Sequence, residues 1–119
     1  MFIHPIIIAD TDLASRQAAA ELRAQIEQLV LSGNKVSIDL SAVLSISESY
    51  ADELFGVLAL RYGLEWLTNY VAIRHPSSFV FRAIASAIRQ RLLSQTPETP
   101  DIALLTARKA LKQRQSRNT

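Results

Sequence analysis

Hydrophobic and polar residues follow two different periods along this chain. Short apolar runs at residues 2–9, 36–40 and 70–74 have the length and the branched side chains of buried strands. After each run, apolar residues recur at helical spacing, which predicts helices that end near Leu31, Tyr62 and Ser94. Strands that alternate with helices need crossover connections. The pattern therefore predicts an α/β fold of three or four mostly parallel strands, with helices packed mainly on one face.

Composition divides the 119 residues into a body and a tail. We predict one α/β domain over residues 1–95, then a short proline-containing linker and a basic C-terminal helix over residues 96–119. Residues 1–100 contain eight basic and ten acidic side chains, whereas residues 101–119 contain five basic and one acidic. The pI of about 9.3 therefore reflects the tail and not the body.

The residues typical of catalysis or cofactor binding are sparse. Cysteine is absent, which excludes disulfides and thiolate metal sites. His4 and His75 are isolated, and three glycines do not make a phosphate-binding loop. A triad of Ser47, His75 and Asp39 can be drawn, but no spacing requires it, and Asp39 is better explained as a turn residue. We expect no catalytic residue, no metal and no cofactor, and hence a protein that is not an enzyme.

The polar connection between the second strand and the following helix is the main candidate site. Ser45, Ser47 and Glu48 flank an apolar residue, so alternation predicts that these three point outward. Ser49 and Asp52 have the spacing of a capping box and are expected to begin the helix. A hydroxyl group exposed here could accept a phosphoryl group, and the added charge of about −1.5 to −2 would alter a docked interface.

The helix after this connection has apolar residues on two sides. One side is predicted to face the core, with Ala51, Leu54 and Phe55 at helical spacing. The other side holds Tyr50, Val57, Leu60 and Leu64, close to Glu53 and Arg61. A second apolar stripe indicates either a protein interface or a helix that is buried on most sides. The sequence leaves both interpretations open.

Residues 36–56 resemble the STAS-like family of unknown function. The resemblance is carried by Ile38-Asp39-Leu40, Ile46-Ser47 and Ser49-Tyr50-Ala51-Asp52-Glu53-Leu54-Phe55-Gly56. Ser15-Arg16 and the helix at residues 79–91 extend it to roughly residues 10–93. This family is close to the STAS domains, which include bacterial anti-sigma-factor antagonists. The resemblance implies a small regulatory domain in the bacterial cytoplasm that docks a protein such as a histidine-kinase-like ATPase or serine kinase.

In STAS antagonists the phosphorylated serine follows an aspartate in the loop that enters this helix. The matching pair here is Ser47-Glu48, with Ser49 next, so a carboxylate occupies what looks like the acceptor position. Either Ser47 or Ser49 is the phosphorylation site, or the loop only docks a partner; we favour docking alone. The predicted partner-binding surface consists of Ser45, Ser47, Glu48, Ser49, Tyr50, Glu53, Val57, Leu60 and Arg61.

The basic tail has two interpretations. Leu104 and Leu111 could dock on the body or on a second copy, as in a homodimer, which would leave the charges in water. Alternatively, the tail makes this protein a nucleic-acid-associated regulator. The phosphate-binding residues would then be Arg108, Lys109, Lys112, Arg114 and Arg117. The tail has no aromatic residue to stack on bases, which favours the first interpretation. The apolar run at residues 6–8 is too short to cross a bilayer, so we expect no membrane segment.

Overall fold

A parallel sheet lies at the centre of the computed structural model, which describes residues 2–94. The strands are β1 (Phe2–Ile7), β2 (Asp12–Leu13), β3 (Asn34–Asp39), β4 (Ser45–Ile46) and β5 (Val71–Arg74). The main sheet has the order β1-β3-β5, and both of its strand pairs are parallel. The short strands β2 and β4 form a separate parallel pair. The predicted α/β class is confirmed.

The helices are α1 (Arg16–Leu31), α2 (Glu48–Ala51), α3 (Val57–Tyr62), α4 (Leu64–Tyr70) and α5 (Ser78–Ser94). A π-helical segment, Asp52–Gly56, joins α2 to α3, so residues 48–62 form one continuous helix. Gly63 ends this helix with a φ of 94°, a conformation that glycine adopts without strain. Helix α4 follows at once and was not predicted.

The helices cover one face of the sheet, as expected. Along β3 the buried Val36 and Ile38 alternate with the exposed Lys35 and the half-buried Ser37. The continuous helix of residues 48–62 contacts both α1 and α5 through its π-helical segment. It is therefore enclosed from two sides as well as packed into the core, where the largest fully buried side chains include Phe55, Leu54, Leu58, Ile26 and Ile84.

Serine side chains determine where the first two helices begin. Helix α1 begins at Arg16, because Ser15 accepts a hydrogen bond from the backbone nitrogen of Ala18 and β2 occupies the preceding residues. Helix α2 begins at Glu48, one residue earlier than expected. Among residues 2–94, no helix is both long and apolar enough to cross a membrane. The predicted linker and basic helix of residues 96–119 lie outside the described residues.

Candidate partner-docking site

Ser47 connects β4 to α2, and local backbone groups engage its hydroxyl. The Oγ atom accepts a hydrogen bond from the backbone nitrogen of Tyr50 at 3.0 Å and donates one to the carbonyl oxygen of Ala14 at 3.0 Å. Ser47 is therefore the N-cap of α2, a role that serine side chains commonly fill. The predicted capping box of Ser49 and Asp52 is wrong, since the cap lies two residues earlier.

Ser45 is also engaged within the fold. Its hydroxyl donates to Oδ1 of Asp12 at 2.5 Å, across the short pair of strands β2 and β4. The backbone nitrogen of Ser47 donates to the carbonyl oxygen of Leu13 at 2.8 Å and continues the same connection. These bonds fix the β4–α2 junction against the segment that enters α1. Two of the hydroxyl groups predicted to point freely outward are thus held by residues 12–14.

Glu48 and Ser49 are the polar residues of the junction that remain available. Glu48 is exposed in the first turn of α2, where a carboxylate interacts favourably with the unpaired backbone N–H groups of the helix start. Ser49 is half-buried, and within residues 2–94 its side chain forms no hydrogen bond. Both side chains border depressions that lie between the start of α2 and helix α5.

The more apolar depression is a groove of about 350 Å³ between α2 and α5. Its lining includes Ile46, Glu48, Phe79, Arg82, Ala83 and Ala87, and we call it the α2–α5 groove. Phe79 is 56% exposed at its border, although it is a large apolar side chain. A more polar recess adjoins the groove and is lined by Arg16, Ser49, Arg91 and Ser94, together with residues shared by both depressions.

Asp52 and Glu53 lie between the groove and helix α1, and both form ion pairs with arginines. Asp52 binds Arg91 through two hydrogen bonds, at 2.6 Å and 2.9 Å, and binds Arg16 at 3.2 Å. Glu53 binds Arg16 at 2.9 Å and also binds Arg23. The hydrogen bonds from Arg91, and then those from Arg16, lower the pKa of Asp52. Hydrogen bonds from Arg16 and Arg23 lower the pKa of Glu53, so both carboxyl groups are held in the ionised form.

Several residues of the predicted partner-binding surface do not lie on the surface. Tyr50 and Val57 are 5% and 9% exposed, so the expectation that they form an outward stripe is wrong. Their burial supports the other interpretation, a helix enclosed on most sides, because α1 and α5 flank it. Glu53 is half-buried and is occupied by the two arginines of α1. Its charge is therefore neutralised within the fold.

The last two predicted residues lie at the far end of the same helix. Leu60 is half-buried, whereas Arg61 is exposed and donates to Oε2 of Glu27 at 2.9 Å. They are not part of the α2–α5 groove. Phe79, Arg82 and Ala83 could not be recognised as site residues from the sequence, because helical spacing alone does not reveal which neighbouring helix leaves a gap. The exposed aromatic residue at the start of an otherwise amphipathic helix was the one available signal.

The carboxyl end of β3 behaves as a turn. Oδ1 of Asp39 accepts a hydrogen bond from the backbone nitrogen of Ser41 at 2.9 Å, and this bond is the main reason that the pKa of Asp39 is lowered. The predicted turn role of Asp39 is confirmed. Within residues 2–94, no group of three or more His, Asp or Glu side chains is arranged to hold a metal ion.

The parallel three-stranded sheet and its one-sided helical layer define a small α/β domain. A family model described as a STAS-like domain of unknown function (DUF4325) matches residues 18–78, just over half of the chain. The chain therefore belongs to this family, and the resemblance drawn from its sequence is confirmed. The matched region runs from α1 through the continuous helix to the start of α5 and includes the β4–α2 junction. No curated protein and no solved structure matches the chain.

Proposed function

We propose that this protein is a non-enzymatic regulatory domain that docks another protein at the α2–α5 groove. The observation that carries the proposal is the exposed Phe79 beside an apolar floor of Ala83 and Ala87, with Glu48 and Arg82 at the border. An apolar centre surrounded by charged residues is typical of protein interaction sites. The groove also lies at the junction that carries the family resemblance.

The resemblance to anti-sigma-factor antagonists supports a partner of the histidine-kinase-like ATPase or serine kinase class in the bacterial cytoplasm. In those antagonists, the phosphorylated serine lies in the loop that enters this helix. The corresponding Glu48 and Ser49 are the two polar residues of the junction that local contacts leave available. The partner surface that we propose is therefore smaller than the predicted one and is shifted toward α5.

If the partner phosphorylates this domain, we assign the modification to Ser49 and not to Ser47. A phosphoryl group on Ser47 would replace the hydroxyl that caps α2 and bonds Ala14. Ser49 shares its recess with Arg16 and Arg91, both of which can form charge-assisted hydrogen bonds to a phosphate. Because both arginines bind Asp52, a phosphate would compete with that carboxylate and alter the wall of the groove.

Affinity capture from the native cell, with quantitative mass spectrometry, tests the docking. Ala83→Arg should fill the groove and Glu48→Arg should reverse the charge at its border, so both variants should lose an ATPase that the unmodified protein enriches. Glu65→Arg, on the exposed side of α4, is the matched control and should retain it. Circular dichroism melts establish that each variant is folded. Wild-type recovery of the ATPase by both groove variants would overturn the proposal.

The modification is tested separately with the captured ATPase and Mg-ATP. Intact-mass measurement should show a gain of about 80 Da, the mass of one phosphoryl group. The gain should disappear in Ser49→Ala and persist in Ser47→Ala. An unchanged mass would restrict the protein to docking without phosphorylation, and a gain lost only in Ser47→Ala would contradict our assignment.

A further inference from the structure

Helix α5 has a second groove on the side that faces away from the α2–α5 groove. It is lined by Leu64, the first residue of α4, and by Ala85, Ile88, Arg89, Leu92 and Leu93 of α5. We call it the α4–α5 groove. Apart from Arg89, the described residues that line it are apolar, and Leu64 and Leu93 are 48% and 66% exposed. An exposed apolar groove of this kind favours burial against another apolar surface.

The floor of the α4–α5 groove is a straight stripe along α5. Ala85, Ile88 and Leu92 are three and four residues apart, so they lie on one side of the helix. Phe81, which is 53% exposed, continues the stripe by one turn toward the start of α5. At a rise of about 1.5 Å per residue, the stripe from Ala85 to Leu92 is about 10.5 Å long. It therefore fits a second helix whose apolar residues have the same spacing.

The chain beyond α5 contains apolar residues at this same spacing. Residues 95–119 lie outside the described residues, and their sequence predicts a linker followed by a basic helix. Leu104, Ala107 and Leu111 are three and four residues apart, as the three residues of the groove floor are. Lys109 falls on the opposite side of a helix that has this pattern. Two stripes of equal length therefore match when the second helix runs antiparallel to α5, and the lysine stays in water.

The position at which the chain leaves α5 favours its own tail as the occupant of the α4–α5 groove. Ser94 ends α5 directly after the groove residues Leu92 and Leu93. The six residues 95–100 include Pro97 and Pro100, which disfavour continuation of α5, and six residues are a usual length for a helix–helix connection. They span up to about 20 Å when extended, more than the roughly 8–10 Å between packed helices. Such a tether gives the tail an effective concentration of millimolar order, which exceeds that of a second copy in dilute solution.

We propose that residues 101–115 fold back antiparallel along α5 and fill the α4–α5 groove, with Leu104 beside Leu92 and Leu111 beside Ala85. The basic side chains of the segment then remain in water, while its leucines cover the exposed apolar side of α5. The α2–α5 groove lies on the other side of α5 and stays accessible. The tail and a docked protein therefore occupy different surfaces, so this proposal and the proposed function can fail independently.

Disulfide trapping in the full chain tests the proposed register. The natural chain has no cysteine, so two introduced cysteines form a unique pair. The register places Ala107 opposite Arg89, and a disulfide requires Cβ atoms about 3.5–4.5 Å apart. In a glutathione redox buffer, Arg89→Cys/Ala107→Cys should form an intramolecular disulfide at least about 10-fold faster than Arg89→Cys/Lys109→Cys. The control pair has nearly the same tether but places its second cysteine on the far side of the helix.

Non-reducing electrophoresis and peptide mapping distinguish the possible occupants. A disulfide that forms faster in the Ala107 pair, and within a monomer, supports the proposal. Equal rates for the two pairs would show a tail that does not dock in this register and would overturn it. Disulfides found mainly between chains would overturn it as well, because they would assign the groove to a second copy.

A second measurement leaves the groove itself unchanged. In ¹⁵N-labelled full chain, Leu104→Lys/Leu111→Lys should shift the amide resonances of the α4–α5 groove and abolish the hydrogen-exchange protection of residues 103–111. The matched control Ile102→Lys/Leu105→Lys adds the same charge on the other side of the predicted helix and should leave both unchanged. Groove resonances that are unaffected by Leu104→Lys/Leu111→Lys, or equally affected by both variants, would overturn the proposal. Capture of the ATPase at the α2–α5 groove should be unchanged in both.

Discussion

Arg91 of α5 and Asp52 of the π-helical segment form a two-point ion pair that joins α5 to the continuous helix. Nε of Arg91 lies 2.6 Å from Oδ1 of Asp52, and Nη2 lies 2.9 Å from Oδ2. Two parallel bonds between a guanidinium group and a carboxylate fix the orientation of both side chains. Arg16 of α1 binds the same carboxylate, so Asp52 links the two helices that enclose residues 48–62.

Replacing Asp52 by alanine should lower the free energy of unfolding by about 1–3 kcal/mol. Arg91 and Arg16 would lose their shared acceptor, while partial exposure of both members of the Asp52–Arg91 pair keeps the loss toward the lower value. Urea unfolding followed by circular dichroism measures the effect. Glu21→Ala is the matched control, because that exposed carboxylate of α1 forms no ion pair among residues 2–94, and it should change stability by less than about 0.5 kcal/mol.

Gly56→Ala should also destabilise the protein. This is not the effect expected at a helical position, where alanine is normally more favourable than glycine. A Cβ atom at position 56 would lie 2.8 Å from Cγ of Arg91, 2.9 Å from Oδ1 of Asp52 and 3.2 Å from the carbonyl oxygen of Ala87. Relieving these contacts requires the ion pair or α5 to move, at a cost of about 1–3 kcal/mol. Helix propensity alone predicts the opposite sign, a gain of about 0.5–1 kcal/mol. The sign of the change in the urea midpoint therefore decides between the two effects.

Acid should weaken the fold through Asp52 and Glu53. Their pKa values lie below the ordinary 3.8 and 4.5, chiefly because arginines donate hydrogen bonds to the ionised forms. Such groups contribute stability that is fully present above the ordinary values and is lost as the pH falls through the lower folded values. The titration of these two groups should therefore change the urea midpoint very little above pH 5. Once the pH is lower than about 4.5, the urea midpoint should decrease.

The variant Asp52→Asn/Glu53→Gln tests this origin of the acid sensitivity. It should be less stable at neutral pH and should lose less stability between pH 5 and pH 3, because two of the carboxyl groups that take up protons are gone. Asp39 also has a lowered pKa and remains in the variant, so the slope should decrease without vanishing. Parallel curves for the variant and the unmodified protein would show that the arginine pairs do not cause the pH dependence.

The sequence predicted the main strands and long helices because their signals are local. The apolar run at β3 and the periodic residues of α5 each mark an element without reference to the rest of the chain. Helix α4 was missed, since seven residues after a helix-ending glycine contain too few repeats to show a period. Strands of two residues, β2 and β4, are likewise too short to have a pattern.

The candidate site was harder to predict because it depends on contacts between distant positions. Asp52 and Arg91 are 39 residues apart, and Arg16 and Glu53 are 37 apart. A helical wheel assigns residues to faces but does not show how many neighbours cover those faces. Tyr50 and Val57 were therefore included in the predicted partner-binding surface, whereas the enclosure of their helix by α1 and α5 buries them. The polar loop was found, but its binding groove was not.

The two serines of the β4–α2 junction should respond differently to alanine substitution. Ser47→Ala removes the cap of α2 and the bond to Ala14, and should lower the free energy of unfolding by about 0.5–2 kcal/mol. Ser49→Ala removes a hydroxyl without a hydrogen bond among residues 2–94 and should change stability by less than about 0.5 kcal/mol. The predicted capping box at Ser49 would require the reverse order. Urea unfolding of both variants therefore tests where the helix begins, and a larger loss for Ser49→Ala would contradict the cap at Ser47.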